Sequence, residues 1–278
     1  MCDSASGSFA EDFYRDGAVC IRGALDQTDL AMARYLFSWS RENKGQAAQS
    51  LDFGADGSIY IETHNSAARA TYLEALAKSG IPALVASVIE VDELWYLGEQ
   101  IYIKEGKPGA CNTAWHQDSD LPLDATGAVC LWISFESLQR EEGLKFVCKS
   151  HRGPRYNQVV DTGPDGEPVL LYPDAADKTP FPDVDATPEK FDLISWSTEP
   201  GDVVLFHSLT IHGAAPAPSS GRRNTLCLRF FGPDTRYTKL PERRPTGTAA
   251  AEMTEFLWEG LQEGDVLRRG TQFRKVFG

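Results

Sequence analysis

The stretch AWHQDSDL, residues 114–121, places His116 and Asp118 one residue apart in a chain with only five histidines. Residues i and i+2 of a β-strand project from one face, so an imidazole nitrogen and a carboxylate oxygen would stand side by side. That is two-thirds of the two-histidine, one-carboxylate triad with which non-haem Fe(II) enzymes hold their metal. His-X-Asp also occurs as an ordinary polar strand end, so the pair carries weight only if the chain supplies a third ligand. Two downstream histidines compete for that place, both in GDVVLFHSLTIHGAAP. His207 and His212 lie five positions apart and would point to opposite faces of a regular strand. His212 sits at the strand end just before Gly213, where a loop can open room for a ligand, whereas His207 lies mid-strand. Arg223 opens RNTLCLRFF eleven residues after His212. Its planar guanidinium suits the distal carboxylate of a metal-bound 2-oxo acid. Alone, it would be a solvated turn residue in a Gly-Arg-Arg segment.

The elements that must position these groups are visible as patterns. FAEDFYRD reads as a short helix, Asp16-Gly17 as a break, and Ala18–Arg22 as a strand. Asp26 can cap a helix through DQTDLAMARYLFSWSREN, and another helix is expected from about Asn65 to Ala86, ended by Gly80-Ile81-Pro82 or continuing past it. From Leu94 onward, short β-branched and aromatic runs alternate with Gly, Pro and Asp breaks, as in an antiparallel sandwich or barrel. The expected division is one domain: a helical N-terminal part over about 1–92, a β core over about 93–240, and a C-terminal helix over about 248–278. Gly153 to Glu199 departs from the strand texture. Nine acidic residues lie between Asp161 and Asp192, against only Lys178 and Lys190. A long Pro/Asp-rich connection of this kind is a lid or a disordered loop, and Phe181, Phe191 and Trp196 favour the lid.

Composition narrows the function classes. Lys+Arg is 27 against Asp+Glu 40, a net charge of −13, which argues against nucleic-acid binding. The N-terminus has neither the basic nor the apolar region of a signal peptide, and no stretch is long enough to span a membrane. Six scattered cysteines without a Cys-X-X-Cys pair read as free thiols, so a reduced, cytoplasmic protein is expected.

DGAVCIRGAL, QIYIKEG before WHQD, LWISFESLQREEGLKFVCKSHR, SWSTEPGDVVLFHSLTIHGA and RRNTLCLRFFGPDTRY occur in this order along the chain. With these segments the sequence resembles the phytanoyl-CoA dioxygenase family of Fe(II)/2-oxoglutarate-dependent oxygenases. The resemblance implies a double-stranded β-helix (jelly roll, cupin-like, α+β) with flanking helices. It implies iron on His116, Asp118 and His212, and the distal carboxylate of 2-oxoglutarate on Arg223. Lys104 matches a lysine that touches 2-oxoglutarate in some relatives, or is a lysine at a strand exit. Trp132 matches a tryptophan near the co-substrate, or is a core aromatic. Arg229 shares strand parity with Arg223 and is assigned, with Tyr102, to substrate contact; a structural ion pair from Arg229 to Asp234 or Glu136 is the alternative. His151, His64 and His207 read as structural or satisfied polar residues. Two departures stand out: Ala214 and Pro216-Ala217-Pro218 replace a common Ser and Asn, and Cys148-Lys149 replaces a common Pro-Gly.

The resemblance further implies an oxygenase that uses Fe(II), 2-oxoglutarate and O2 on a small-molecule substrate, releasing succinate and CO2. The candidate substrates are an acyl-CoA, an amino-acid-like molecule, a phosphonate or a natural-product intermediate. Related halogenases lack this carboxylate, so an intact Asp118 favours hydroxylation or a related oxidation, desaturation and ring formation among them, over halogenation. The rival class is a metal-binding jelly roll without oxygenase activity, a cupin-like isomerase or sensor, which leaves Arg223 unexplained.

Overall fold

The computed structural model describes residues 7–162, 168–173, 179, 181–242 and 255–278. Ser8 caps α1 (Phe9–Asp16) through reciprocal hydrogen bonds with Glu11, and Gly17, with φ of 86°, ends it. β1 (Ala18–Ile21) follows, then α2 (Gln27–Glu42), whose N-cap Asp26 accepts from the Asp29 amide. β2 (Gln49–Asp52) and β3 (Gly57–Thr63) come next, two strands in the N-terminal part beyond the one expected at Ala18–Arg22. The single helix anticipated after Asn65 is two: α3 (Arg69–Leu76) and α4 (Ile81–Val88). Proline lacks an amide hydrogen and is tolerated in a first turn, so the helix restarts at Ile81-Pro82 instead of running through.

Strands dominate thereafter: β4 (Leu94–Gly106), β5 (Thr113–His116), β6 (Val129–Ser134), β7 (Leu144–Val147), β8 (Val159–Thr162), β9 (Pro168–Leu170), β10 (Leu193–Ile194), β11 (Val203–His207), β12 (His212–Ala214) and β13 (Arg222–Phe231). The chain ends with α5 (Glu255–Trp258) and β14 (Arg274–Phe277). An eight-stranded antiparallel sheet runs β1-β11-β6-β13-β4-β3-β2, with β14 also paired to β4. A four-stranded sheet, β10-β7-β12-β5, packs against its inner face through Leu144 and Phe146 on Trp132 and Phe206. The result is a jelly roll with flanking helices. The C-terminal helix expected over about 248–278 is replaced, among the described residues, by the four-residue α5 and by β14.

Alternation explains how one sheet serves both core and cavity. On β4, Ile101 and Ile103 face the helices while Gln100, Tyr102 and Lys104 line the cavity between the sheets. On β13, Leu226, Leu228 and Phe230 face the helices while Arg223, Thr225, Cys227 and Arg229 face the cavity. A period of two thus sorts apolar from chemical residues on each strand.

The expected lid is built into the body of the protein where it is described. Phe181 and Phe191 pack with Trp115, Val147 and Ile211, Trp196 packs with the cluster around Phe146, and β10 extends the smaller sheet. Positions 163–167, 174–178 and 180 of that segment lie outside the described residues.

Candidate active site

β5 ends at His116, so Asp118 is not held by strand pairing as the i, i+2 spacing suggests. Its amide instead donates to the Ser208 carbonyl at 2.8 Å. Between them, the buried Gln117 points away from its two neighbours and is tied on all sides. Its Nε2 donates to the Leu209 and Pro154 carbonyls at 2.7 and 3.3 Å, and its Oε1 accepts the Tyr156 amide at 3.0 Å. Gln158 donates to the Gln117 carbonyl. The segment after Gly153 is therefore bolted to the His-X-Asp motif.

The second anticipated strand also splits. β11 ends at His207 in the large sheet, residues 208–211 turn, and β12 begins at His212 in the small one. There His212 lies directly opposite His116 in an antiparallel pair, with ring centroids 4.1 Å apart. His116, Asp118 and His212 each offer a ligand atom, and these atoms all lie within 4.8 Å of one another. Both histidines use Nδ1 in the same way. His116 Nδ1 is 2.8 Å from the Ala114 carbonyl and His212 Nδ1 is 2.9 Å from the Thr210 carbonyl, so each donates backward by two residues. That tautomer leaves both Nε2 lone pairs toward the cluster, as metal-binding histidines require. Burial, then His116, lowers the His212 pKa to about 3, which keeps it neutral. Burial alone would raise the Asp118 carboxyl, but Arg229, then His212 and His116, outweigh it and hold it well below the usual carboxylate range.

His207 stays apart. Its Nε2 meets the Thr126 carbonyl at 3.0 Å and its Nδ1 accepts the Leu209 amide at 3.1 Å, which leaves no nitrogen for a metal. His151 packs beside it, 5.4 Å away between ring centroids. His64 is buried against Gly98, and its Nδ1 has no hydrogen-bond partner, so it is not the satisfied residue the sequence suggested.

The far end of the cavity is cationic. Lys104 and Arg223 are each only 2 % exposed, and neither has a carboxylate within ion-pair distance among the described residues. Lys104 Nζ donates to Thr113 Oγ1 at 2.6 Å and to the Ala215 carbonyl at 2.8 Å. Arg223 donates to the carbonyls of Ala215, Glu142 and Pro216 at 2.7, 2.8 and 3.1 Å, while its Nε has no partner. Burial, then Arg223, pushes the Lys104 pKa down to about 7, and burial brings Arg223 down to about 10. Two buried cations with an open donor fit a dianion's carboxylate. Trp132 lies under Arg223, 5.9 Å from ring centroid to Cζ, and lines the same cavity. Ala214, where the sequence departs from its resemblance, and the adjacent Ala215 take left-handed φ of 61° and 50°. That bend aims the Ala215 carbonyl at both cations, so backbone stands in for absent polar side chains.

A model of one family, phytanoyl-CoA dioxygenase (PhyH), matches residues 13–225. The chain belongs to the phytanoyl-CoA dioxygenase family. No curated protein matches it directly. Among solved structures it is similar to the epimerase SnoN, crystallised with Fe3+, alpha ketoglutarate and nogalamycin RO, at 20 % identity and TM-score 0.66, covering 96 % of this chain and 97 % of that one. It is similar to the alpha-ketoglutarate-dependent carbocyclase SnoK from nogalamycin biosynthesis at 19 % identity and TM-score 0.68, covering 98 % and 96 %. It is also similar to EctD from S. alaskensis, in its apoform, at 17 % identity and TM-score 0.60, covering 87 % and 82 %. At these identities the likeness shows a shared fold.

Arg229 ion-pairs with Asp118, at 3.1 Å, not with Asp234 or Glu136; Glu136 instead binds Asn224. Tyr102 lines the cavity, and burial raises its pKa, so its hydroxyl stays protonated. Sequence reasoning missed Gln100, Gln117, Cys130 and Ala215. Parity would have found two of them, since Gln100 precedes Tyr102 by two and Cys130 precedes Trp132 by two. Nothing local marks Gln117 or the Ala215 carbonyl.

Proposed function

We propose that this family member is an Fe(II)- and 2-oxoglutarate-dependent oxygenase that hydroxylates a small organic substrate, with release of succinate and CO2. The observation that carries the reading is one cavity with two histidines and a carboxylate clustered at one end and two cations without an ion-pair partner at the other. His116 Nε2, His212 Nε2 and an oxygen of Asp118 would hold the metal, a nitrogen and oxygen set that suits Fe(II) with open positions. Arg223 and Lys104 would take the distal carboxylate of 2-oxoglutarate, with Trp132 walling its carbon chain. When bound, the metal and 2-oxo acid together supply the oxidation of a C–H bond by O2. The chain's share is placement. The two sheets exclude water from Lys104 and Arg223, the Ala114 and Thr210 carbonyls fix the imidazole rings, and Tyr102 and Arg229 Nη1 present donors toward the substrate. A metal-binding protein without oxygenase chemistry would need no buried arginine-lysine pair facing its ligands.

Anaerobic titration tests the assignment. The purified protein should take up one Fe(II), and 2-oxoglutarate should then produce a metal-to-ligand charge-transfer band. With O2 and a panel of acyl-CoA, amino-acid, phosphonate and natural-product substrates, succinate release should rise with one class. A well-folded protein that gives no band removes the reading.

A further inference from the structure

The geometry points to Arg229 and Cys130 as positioning residues that restrict Asp118 to a single-oxygen contact with the metal. This rests on the iron reading above and goes beyond it. The two oxygens of Asp118 have different surroundings. Oδ1 faces the histidines, 3.7 Å from His116 Nε2. Oδ2 receives the Arg229 fork, with Nε at 3.3 Å and Nη2 at 3.1 Å, and the Cys130 thiol at 3.5 Å. The donors are themselves placed by the large sheet. Cys130 on β6 lies directly opposite Arg229 on β13, and Arg229 lies opposite Gly98 on β4. The guanidinium is further pinned because Nη2 donates to Gln100 Oε1 at 2.7 Å.

A carboxylate beside a metal can bind through one oxygen or both. A second oxygen would fill one of the three positions that a facial triad leaves open for a bidentate 2-oxo acid and O2. Rotating Oδ2 onto the metal would break the charge-assisted Arg229 contacts and the thiol contact together. The clamp therefore reserves a coordination position. It also fixes what Arg229 is for. Both Arg229 and Asp118 are buried, and a buried guanidinium and carboxylate that pair neutralise each other. Only Nη1 is left without a partner. Arg229 can thus offer the substrate hydrogen bonds from this one nitrogen alone, but not a fork from two nitrogens onto a carboxylate.

Wild type, Arg229→Gln, Cys130→Ala and Cys130→Ser would be loaded with Mn(II), crystallised, and titrated anaerobically with 2-oxoglutarate. In wild type, Asp118 should contact the metal through Oδ1 alone. In Arg229→Gln and Cys130→Ala, Oδ2 should swing onto the metal, and 2-oxoglutarate should bind about tenfold more weakly, the lower end of what lost outer-shell partners cost. Cys130→Ser, which restores an O–H donor, should return both the single-oxygen contact and the affinity. Metal-loaded Arg229→Gln and Cys130→Ala with Asp118 still bound through one oxygen would overturn the assignment. If Arg229→Gln does not fold, the cysteine pair decides alone, since it changes one buried atom. Wild type that binds neither Mn(II) nor 2-oxoglutarate would instead overturn the oxygenase reading itself.

Discussion

The two ends of the cavity handle buried charge in opposite ways. At the histidine end, the charge of Asp118 is balanced inside the protein by Arg229. At the far end, Lys104 and Arg223 hydrogen-bond only to neutral groups among the described residues, three backbone carbonyls and a threonine hydroxyl, and the carboxylates of Glu136 and Glu142 act on Arg223 only from beyond ion-pair distance. The balanced end is finished, apart from a metal whose remaining ligands can be neutral or anionic. The unbalanced end is held at a cost that an arriving carboxylate removes. One sheet builds both, because β13 supplies Arg223 near its start and Arg229 near its end, six residues apart and on one face.

The largest expected effect separates the two ends. Arg223→Met should leave Fe(II) binding intact and weaken 2-oxoglutarate by roughly 100-fold, since each lost charge-assisted hydrogen bond is worth about 1.5–3 kcal/mol. His212→Ala should instead abolish metal uptake, and with it the share of 2-oxoglutarate affinity that the metal supplies. Calorimetry with Mn(II) and 2-oxoglutarate, added separately, reads both, and loss of metal binding in Arg223→Met would break the comparison.

Lys104→Met should weaken 2-oxoglutarate less, by about tenfold, because Arg223 remains. It should also stabilise the ligand-free protein by about 1–3 kcal/mol near neutral pH, as the cost of a buried, unpaired ammonium disappears. Linkage sets the sign with pH. The folded pKa of Lys104 is lowered to about 7, below its unfolded value, so its penalty is full below pH 7 and fades as pH rises toward the unfolded pKa. The gain in melting temperature should therefore shrink in alkaline buffer. In the wild type, 2-oxoglutarate binding above pH 7 should draw in a proton, visible as a dependence of binding enthalpy on buffer. A pH-independent difference in melting temperature would place the ammonium in water.

The smallest effect concerns the segment after Gly153. Gln117→Leu strips three hydrogen bonds and strands their backbone partners, so it should cost about 1–3 kcal/mol of stability. Because Gln117 sits between two ligands, metal affinity should also fall several-fold, while 2-oxoglutarate affinity at saturating metal should hold. An unchanged metal affinity would show that the brace supports only the segment.

How much of this could be read from the chain differs by residue. Arg229 can be read from its strand parity with Arg223, whereas Lys104 and Trp132 show in the sequence only through the family resemblance; alternation on regular strands is what turns them, with Tyr102, toward the cavity. The jelly roll was legible through its run of short strands. Residues 208–211 were not, since the change of sheet between His207 and His212 breaks no sequence rule: a single strand and two strands with a turn read alike. Asp118 was found by strand parity, although β5 stops at His116 and a hydrogen bond to Ser208 does the holding. β2 and β3 leave no clear local signal, because pairing with β4 is a long-range choice. The partner of Arg229 was misplaced because two acids nearer in sequence, Asp234 and Glu136, competed with Asp118 across the cavity.

The pairing of His116 with His212 across β5 and β12 has a consequence for assembly. The ligands come from strands far apart in the chain that meet only when the small sheet has closed, so no partly folded fragment can offer the full set. Metal uptake would then report the completed fold, and an ion held by this set would act as a rivet between two strands, one of them only three residues long. By mass action, each tenfold rise in free metal above its dissociation constant should deepen the native well by about 1.4 kcal/mol. Iron supply would thereby set how long the closed sheet survives, as well as how many molecules are ready to react.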